Sequence, residues 1–146
     1  MMADVATLLL ELRGVVEADP ERVAEILLDA RPGGRSPLAA QGELVGDGPD
    51  GDSFVVKQSG SRLTVTVDRA ARCVAVQGGW WYRSETSVGA ERRGSSLIHR
   101  VFDVAERQPW AVRFVSRGPL LAAEGAFAEH LYAIGEQLGC AAYPVQ

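Results

Sequence analysis

Apolar residues near the end of the chain recur at steps of three and four positions, which is the spacing of one face of an α-helix. Pro119 suits the first turn of a helix, and Gly139 suits the left-handed position that often follows the last turn. The pattern predicts an amphipathic helix over residues 119–138, roughly 30 Å long. Its apolar stripe consists of Leu120, Phe127, Leu131, Ile134 and Leu138.

The beginning of the chain alternates with a period of two, with one more apolar face, from residue 8 to residue 16. This alternation predicts a strand, although residues 6–12 alone also fit a helix. Asp19 and Pro20 then supply an N-cap and a first helical residue, so a short helix follows and ends at residues 31–34. The buried stripe of this helix is predicted to be Val23, Ile26, Leu27 and Ala30.

The middle of the chain consists of short segments typical of strands, separated by Gly, Asp and Pro. Residues 59–61 form a compact hairpin connection, and residues 89–94 form a longer loop. Strands that follow one another without helices predict an antiparallel meander. Residues 108–115 fit either a short helix or an extended edge. The predicted strands cover residues 38–45, 53–58, 62–68, 72–77, 80–88 and 95–104.

Composition favours one soluble domain. A chain of 146 residues is long enough to bury a core of its own, so we predict a single domain over residues 1–146. A net charge of −4, without a basic cluster, argues against nucleic acid and anionic membrane as main partners. The apolar run within residues 1–12 is too short for a membrane span and has no basic start, so we predict no stable membrane insertion.

Cysteine usage indicates the redox compartment of the protein, and the bias among basic residues indicates the type of genome that encodes it. Cys73 and Cys140 form no CxxC pair, and two isolated cysteines do not imply a disulfide framework, which favours a reducing cytoplasm. Lys57 is the single lysine, there is no asparagine, and arginine is abundant. This bias is typical of a GC-rich bacterial genome.

Two stretches of sequence match motifs of a known superfamily. Residues 15–27 (VVEADPERVAEIL) fit an opening strand that runs through "apolar-x-A-x-P-E-x-V" into a first helix, and residues 94–101 (GSSLIHRV) are similar to a strand often written G-T-x-L-x-x-R-V. Both stretches resemble the SRPBCC superfamily, which is START-like and birch-pollen-allergen-like. The order of elements matches over residues 8–139. One departure follows Arg31, where the family often has a second short helix and residues 33–37 offer little to build one.

The resemblance implies an α+β helix-grip fold: a curved antiparallel β-sheet wrapped around a long C-terminal α-helix, with a short helix after the first strand. It also implies a cavity between sheet and helix that holds a lipid, quinone or polyketide-like molecule, with no cofactor. We place the cavity on the sheet face opposite Arg83, Glu85 and Arg100, because burying unpaired charges is costly. The predicted cavity residues are Trp80, Tyr82, Ser84, Thr86, Leu97, His99, Val101, Trp110, Phe127, Leu131 and Ile134.

This choice of face assumes that Ser84 lies opposite His99, and it creates a conflict. Trp81, Ile98 and Phe102 then point outward, since neighbouring residues of a strand face opposite sides. Either a loop or a homodimer contact covers them, or the register is wrong by one residue.

His99 is the polar residue of greatest interest, with two interpretations. As a functional group it would orient a ligand carbonyl or act as an acid or base, since its ordinary pKa lies near neutrality. As a structural group it would be satisfied by a neighbouring partner, and we favour this interpretation because a fold does not specify a site. Tyr82 and Tyr132 offer phenols but at spacings typical of packing. Glu124 is either a cavity acid or an exposed residue at the helix edge.

Familiar motifs fail on inspection. Residues 46–51 match GxGxxG but precede a strand and carry two aspartates, which predicts a turn rather than a phosphate site. Asp47, Asp50 and Asp52 lack the spacing of a calcium loop, and His99 and His130 lie on separate elements, so we predict no metal site. No serine-hydrolase, nucleotide-binding or zinc-protease motif occurs.

Three functions remain open. The first is a carrier or sensor of an apolar small molecule, without catalysis. The second is an enzyme similar to the polyketide cyclases and aromatases of this superfamily, with His99 and Tyr82 as candidate catalytic residues. The third is a protein–protein interaction module with a filled core, in which Trp81 and Phe102 form a partner patch.

Overall fold

A long helix near the C-terminus lies against one antiparallel sheet. The computed structural model describes residues 6–39, 42–49 and 52–145. Their sheet has the order β2-β3-β4-β5-β6-β7-β1-β8. The strands are β1 (Thr7–Val16), β2 (Glu43–Asp47), β3 (Ser53–Gln58), β4 (Ser61–Asp68), β5 (Cys73–Gly78), β6 (Tyr82–Glu91), β7 (Gly94–Asp103) and β8 (Ala142–Val145). The helices are α1 (Pro20–Leu27), α2 (Val112–Val115), which follows a 3₁₀ turn at Pro109–Ala111, and α3 (Arg117–Leu138).

The core lies where α1 and α3 pack on one face of this sheet. Fully buried residues from the strands meet Leu27 of α1 and Leu131 and Ile134 of α3 in one hydrophobic cluster. The strand contributions include Val16, Phe54, Val56, Val65, Val74 and Leu97. This arrangement confirms the helix-grip α+β fold that the resemblance implied.

Local sequence signals explain how both main helices begin and end. The Asp19 carboxylate accepts a hydrogen bond from the Glu21 backbone N–H at 3.1 Å, and Pro20 is the first helical residue. Gly139 ends α3 with φ 68° and ψ 36°, a left-handed conformation that glycine adopts without steric cost. The predicted N-cap of α1 and the predicted C-cap of α3 are therefore confirmed, and α3 begins two residues earlier than predicted. The predicted end of the first helix at residues 31–34 is wrong, because α1 ends at Leu27. The predicted stripe is buried, but Ala30 lies beyond the helix.

The predicted meander is confirmed, with one correction to a connection and one to the bounds of a strand. Ser59 and Gly60 both have positive φ and form the two-residue hairpin turn between β3 and β4. Residues 89–94 are not a loop, because β6 continues to Glu91 and pairs with β7 up to Gly94. The strand predicted at 38–45 is observed only from Glu43, and residues 40 and 41 lie outside the described ranges.

Register around the two neighbouring tryptophans differs from the prediction. Thr86, not Ser84, lies opposite His99, and Ser84 lies opposite Val101. A shift of two residues keeps the same side chains on the same face, so the choice of face survives. Trp81 is nevertheless only 8% exposed, in a cluster with Val101. It precedes β6, so strand alternation does not govern its direction, and Val112 of α2 belongs to the same buried cluster.

The last strand, β8, was not predicted, and it extends the sheet beyond β1. Its residues pair antiparallel with β1, with Val15 opposite Tyr143. The Tyr143 hydroxyl donates a hydrogen bond to the Glu17 carboxylate at 2.8 Å and accepts one from Arg93 at 3.0 Å. Four residues after a helix cap show too little periodicity to be identified as a strand.

A close approach of α3 to β1 depends on Gly14. A Cβ atom at position 14 would lie 2.4 Å from Leu131 Cδ1, well inside van der Waals contact. Leu131 is fully buried, so its side chain would have to shift within the packed core to accommodate such an atom. The absence of a side chain at Gly14 therefore lets the C-terminal half of α3 lie directly on the sheet.

Candidate functional site

A cavity of about 380 Å³ lies between the sheet and the N-terminal half of α3. The sheet and the segment after α1 contribute Leu38, Val76, Tyr82, Ser84, His99 and Val101 to its lining. The helix contributes Pro119, Ala122, Ala123, Ala126, Phe127 and His130. The short alanine side chains leave unfilled the space that larger residues would occupy, and this is the physical reason for the cavity.

The cavity opens beside the first turns of α3. Pro119, Ala122 and Ala126 line it and are also exposed to solvent. Val101 and Phe127, by contrast, are almost completely buried and form its floor. A ligand would therefore enter near the start of α3.

His99 is held in one orientation by its neighbour on β6. Thr86 Oγ1 and His99 Nδ1 are 2.8 Å apart. Thr86 is buried and has no second hydrogen-bond partner for its hydroxyl among the described residues. If the hydroxyl only accepted a bond, its own proton would remain unpaired, which is costly. The hydroxyl therefore donates to Nδ1, and the neutral ring carries its proton on Nε2.

The Nε2–H group of His99 faces the cavity. Throughout residues 6–39, 42–49 and 52–145, no fully buried side-chain nitrogen or oxygen lacks a hydrogen-bond partner. Nε2 has no such partner, so it keeps accessible surface, and His99 is a lining residue. The cavity consequently presents a hydrogen-bond donor within a mostly apolar wall.

Burial keeps this imidazole neutral. It lowers the pKa of His99 from 6.5 to about 4, with a smaller contribution from the nearby His130. The ring is stacked on Phe127, with centroids 5.9 Å apart and an interplanar angle of 27°. Burial also lowers the pKa of His130. At neutral pH both histidines are therefore uncharged.

The lowered pKa of His99 predicts a pH-dependent stability. The unfolded chain binds a proton on His99 near pH 6.5, and the folded chain binds it only near pH 4. The contribution of the neutral His99 to the free energy of unfolding is therefore complete above pH 6.5 and is lost as the pH falls toward 4. In urea unfolding at a series of pH values, His99→Gln should flatten this decline. Leu121→Ala, an exposed and non-titrating change, should keep the wild-type slope. An unchanged slope in His99→Gln would show that other groups cause the decline.

Five residues predicted for the cavity lie together on its lining. They are Tyr82, Ser84, His99, Val101 and Phe127. Thr86 lies behind His99 as its hydrogen-bond partner. Ser84 is buried and has no hydrogen-bond partner for its hydroxyl among the described residues, so this hydroxyl also keeps surface toward the cavity.

The other predicted residues lie elsewhere. Leu97, Leu131 and Ile134 are fully buried in the main core, away from the cavity. Trp80 packs against the smaller cluster that contains Trp81. Trp110 is 69% exposed and lies outside the lining, because residues 109–111 form a turn on the outer side of the fold. The exposed Tyr132 does not line the cavity either.

Several lining residues were missed. Val76 lies on β5 beside the two strands considered for the cavity, and Leu38 lies in the segment after α1, so only the tertiary structure shows that both line the cavity. Ala122, Ala123 and Ala126 did carry a signal, since three small residues lie in the stretch between Leu120 and Phe127 where the large apolar stripe is interrupted. Such an interruption in the apolar stripe of a helix that packs on a sheet indicates unfilled space.

A second cavity of about 330 Å³ lies on the other side of Phe127, between α3, β1 and β8. Its lining includes Leu12, Ala128 and Val145, and also Glu124, which is exposed. Phe127 lines both cavities and therefore lies between them. The first cavity is the more apolar and contains the histidines.

The described residues show neither a reactive thiolate at Cys73 nor a cluster of metal ligands. Burial raises the pKa of the Cys73 thiol to about 11, so it stays protonated at neutral pH. The described residues contain no group of three or more His, Cys, Asp or Glu side chains placed to hold a metal ion. None of their helices combines the length and the apolar character that crossing a bilayer requires.

Comparison with known proteins finds similarity in structure alone. No family model matches the chain, and no curated protein matches it. The crystal structure of TTHA0849 from Thermus thermophilus is similar with a TM-score of 0.48 and 16% identity, over 87% of this chain and 95% of that one. The crystal structure of Ara h 8.0201 is similar with a TM-score of 0.47 and 13% identity, over 90% of this chain and 97% of that one.

Proposed function

We propose that the protein binds an apolar small molecule, as a carrier or sensor, in the cavity between the sheet and α3. The observation that carries this proposal is a cavity of about 380 Å³ that opens beside α3 and has a mostly apolar lining. Small-molecule sites typically have volumes of about 300–1,000 Å³ and a few placed polar groups. The free cysteines Cys73 and Cys140 suit a reducing compartment, so we place this activity in the cytoplasm.

The polar groups that line the cavity limit the chemical class of ligand that it can bind. Nε2–H of His99 is a donor, and the Ser84 hydroxyl lies on the same wall. None of the described residues that line this cavity carries a charge at neutral pH, so an ionised ligand would be desolvated without a counter-charge. The ligand is therefore an uncharged, largely hydrocarbon molecule with a carbonyl or hydroxyl oxygen, a description that includes lipids, quinones and polyketide-like compounds.

The same geometry supports binding over acid–base catalysis. A general base that works near neutral pH has a pKa close to 7. The pKa of His99 is lowered to about 4, so it is a weak base at that pH. No carboxylate lies within hydrogen-bond distance of His99 or Tyr82 among the described residues to raise the basicity of either.

Native mass spectrometry of the full chain, purified from a bacterial host, tests this proposal most directly. We expect an added mass that disappears on solvent extraction, and a neutral, oxygen-containing apolar compound in the extract. A clean mass for the protein alone would count against the proposal if a panel of long-chain ketones, alcohols and quinones also failed to raise the melting temperature.

A second experiment tests the role of His99. The double change His99→Phe with Thr86→Val removes the donor without leaving the Thr86 hydroxyl unpaired. We expect the affinity for a long-chain methyl ketone to fall roughly tenfold, as for one lost hydrogen bond, and the affinity for the matching alkane to stay within a factor of about two. Isothermal titration measures both.

Tyr132→Phe is the control for this experiment, since it removes an exposed hydroxyl on α3 outside the cavity. It should leave both affinities unchanged. If the double variant loses ketone and alkane affinity equally, His99 acts through packing and the proposed hydrogen bond is wrong.

A further inference from the structure

Large apolar side chains are exposed around the start of α3. Leu121 is 85% exposed and Trp110 is 69% exposed, and Phe114 and Val115 are about half exposed. Arg113 and Arg117 are exposed beside them. We call these six residues the exposed ridge. Clusters of exposed apolar residues on a protein surface usually mark a contact site.

The geometry of α2 and α3 places much of the ridge on one side. Ser116 N–H donates to the Val112 carbonyl at 2.8 Å, and Leu120 N–H donates to the Ser116 carbonyl at 2.9 Å, so helical bonding continues across the junction. Phe114 and Leu121 are seven residues apart, which is close to two turns, and therefore share a side. The buried residues Val112 and Ser116 lie on the opposite side, against the fold.

The ridge is also locally basic. Residues 107–123 contain three arginines and no aspartate or glutamate, although the chain carries a net charge of −4. The guanidinium groups of Arg113 and Arg117 lie 5.2 Å and 5.6 Å from the centre of the Phe114 ring. Apolar and cationic groups are therefore interleaved on one surface. The overall charge, which argued against an anionic partner, conceals this distribution.

We propose that the exposed ridge docks on the surface of an anionic lipid bilayer. Trp and Leu side chains that project from a helix, with arginines beside them, are typical of helices that lie in the membrane interface. The apolar side chains enter the headgroup region while the arginines pair with lipid phosphates. The ridge stands on the convex outer surface of a helix, and a bilayer accommodates such a surface without a complementary groove.

The exposed ridge and the cavity lie on different faces of α3. Leu121 is rotated by about 180° around the helix axis from the face formed by Pro119, Ala122, Ala126 and His130, which line the cavity. Docking through Leu121 would therefore leave the cavity-lining face of α3 directed away from the lipid. The inference goes beyond the proposed function and does not depend on it, because the ridge exists whether or not the cavity is occupied.

Vesicle flotation of the full chain tests the inference. With vesicles of equal parts phosphatidylcholine and phosphatidylglycerol, the protein should float with the lipid, and about 0.5 M NaCl should release much of it through screening. Replacing both Trp110 and Leu121 by Asp should lower the bound fraction at least tenfold. Arg113→Gln with Arg117→Gln should lower affinity roughly tenfold or more, as expected for two lost cationic contacts.

Leu44→Asp is the matched control, since Leu44 is 48% exposed on β2 at the opposite edge of the sheet from β1 and β8. It should float like the wild type. The inference is overturned if the wild type does not float with anionic vesicles, if Leu44→Asp fails as completely as the ridge variant, or if the arginine variant floats normally. Loss of a co-purifying protein from the ridge variant, without flotation of the wild type, would assign the surface to a protein partner instead.

A binding titration without vesicles separates this inference from the proposed function. The Trp110→Asp, Leu121→Asp variant should bind a long-chain methyl ketone with wild-type affinity, because neither residue lines the cavity. Failure of flotation with intact ketone binding would overturn only the docking inference. Failure of ketone binding in the wild type would overturn only the proposed function.

Discussion

Ala123→Trp should abolish ligand binding while leaving the fold intact. Ala123 lines the cavity from α3, opposite the sheet residues that carry His99. An indole side chain at this position occupies space that is empty in the wild type, so it does not force buried neighbours apart. We expect the affinity for a long-chain ketone to fall at least about 100-fold, or roughly 2.7 kcal/mol.

Leu121→Trp is the control for this prediction. It introduces the same side chain two residues away on the same helix, at an exposed position outside the cavity. Circular dichroism and thermal unfolding should be close to the wild type for both variants, and isothermal titration should lose the binding signal only for Ala123→Trp. Retained binding by a folded Ala123→Trp protein would show that the ligand occupies another site, such as the cavity beyond Phe127.

The second large effect is expected where α3 meets β1. Leu131→Ala should destabilise the protein by about 2–5 kcal/mol, because Leu131 is fully buried and its removal leaves a void. Gly14→Ala should cost about 1–3 kcal/mol, since the new methyl group would lie 2.4 Å from Leu131 Cδ1. Equilibrium unfolding in urea measures both free energies.

The two substitutions should compensate for each other. In Gly14→Ala with Leu131→Ala, the added methyl group enters the space that the shortened side chain vacates. The double variant should therefore be more stable than the sum of the single effects by about 0.5–3 kcal/mol, the usual coupling between residues in contact. Strict additivity would mean that β1 and α3 are not in direct contact at this point.

Ile134→Ala combined with Gly14→Ala provides the matched comparison. Ile134 is as deeply buried on α3 as Leu131 but is not among the nearest atoms to a Cβ at position 14. Its effect should add to that of Gly14→Ala. A difference in coupling between the two pairs therefore locates the close approach at Leu131 rather than along the whole helix.

Some cavity residues were predicted correctly from the sequence and others were not, and the two groups differ in whether their position depends on local sequence or on packing. His99 and Phe127 were identified because a polar residue in an apolar strand and an aromatic residue in a helical stripe are visible locally. Trp110 was predicted to line the cavity, yet it is exposed. An apolar side chain has no intrinsic preference between a core and a contact surface, so its composition alone does not separate the two.

The sequence alone determined the order of the elements from β1 to α3, and its resemblance to a known superfamily implied the helix-grip fold. The order depends on signals that are local in the chain: a period of two or of three to four residues, the Asp19–Pro20 start and the Gly139 cap, each of which acts through backbone bonds to nearby residues. The choice of cavity face was also local, because charged residues on one side of β6 and β7 are costly to bury.

Only the tertiary structure decided the register, the burial of Trp81, the pairing of β8 with β1 and the existence of the cavity. Register depends on how two distant segments meet, and burial depends on what covers a side chain. The cavity depends on the difference between the space that sheet and helix enclose and the volume of the alanines that face it. That difference is a property of packing between elements, and no single segment of sequence contains it.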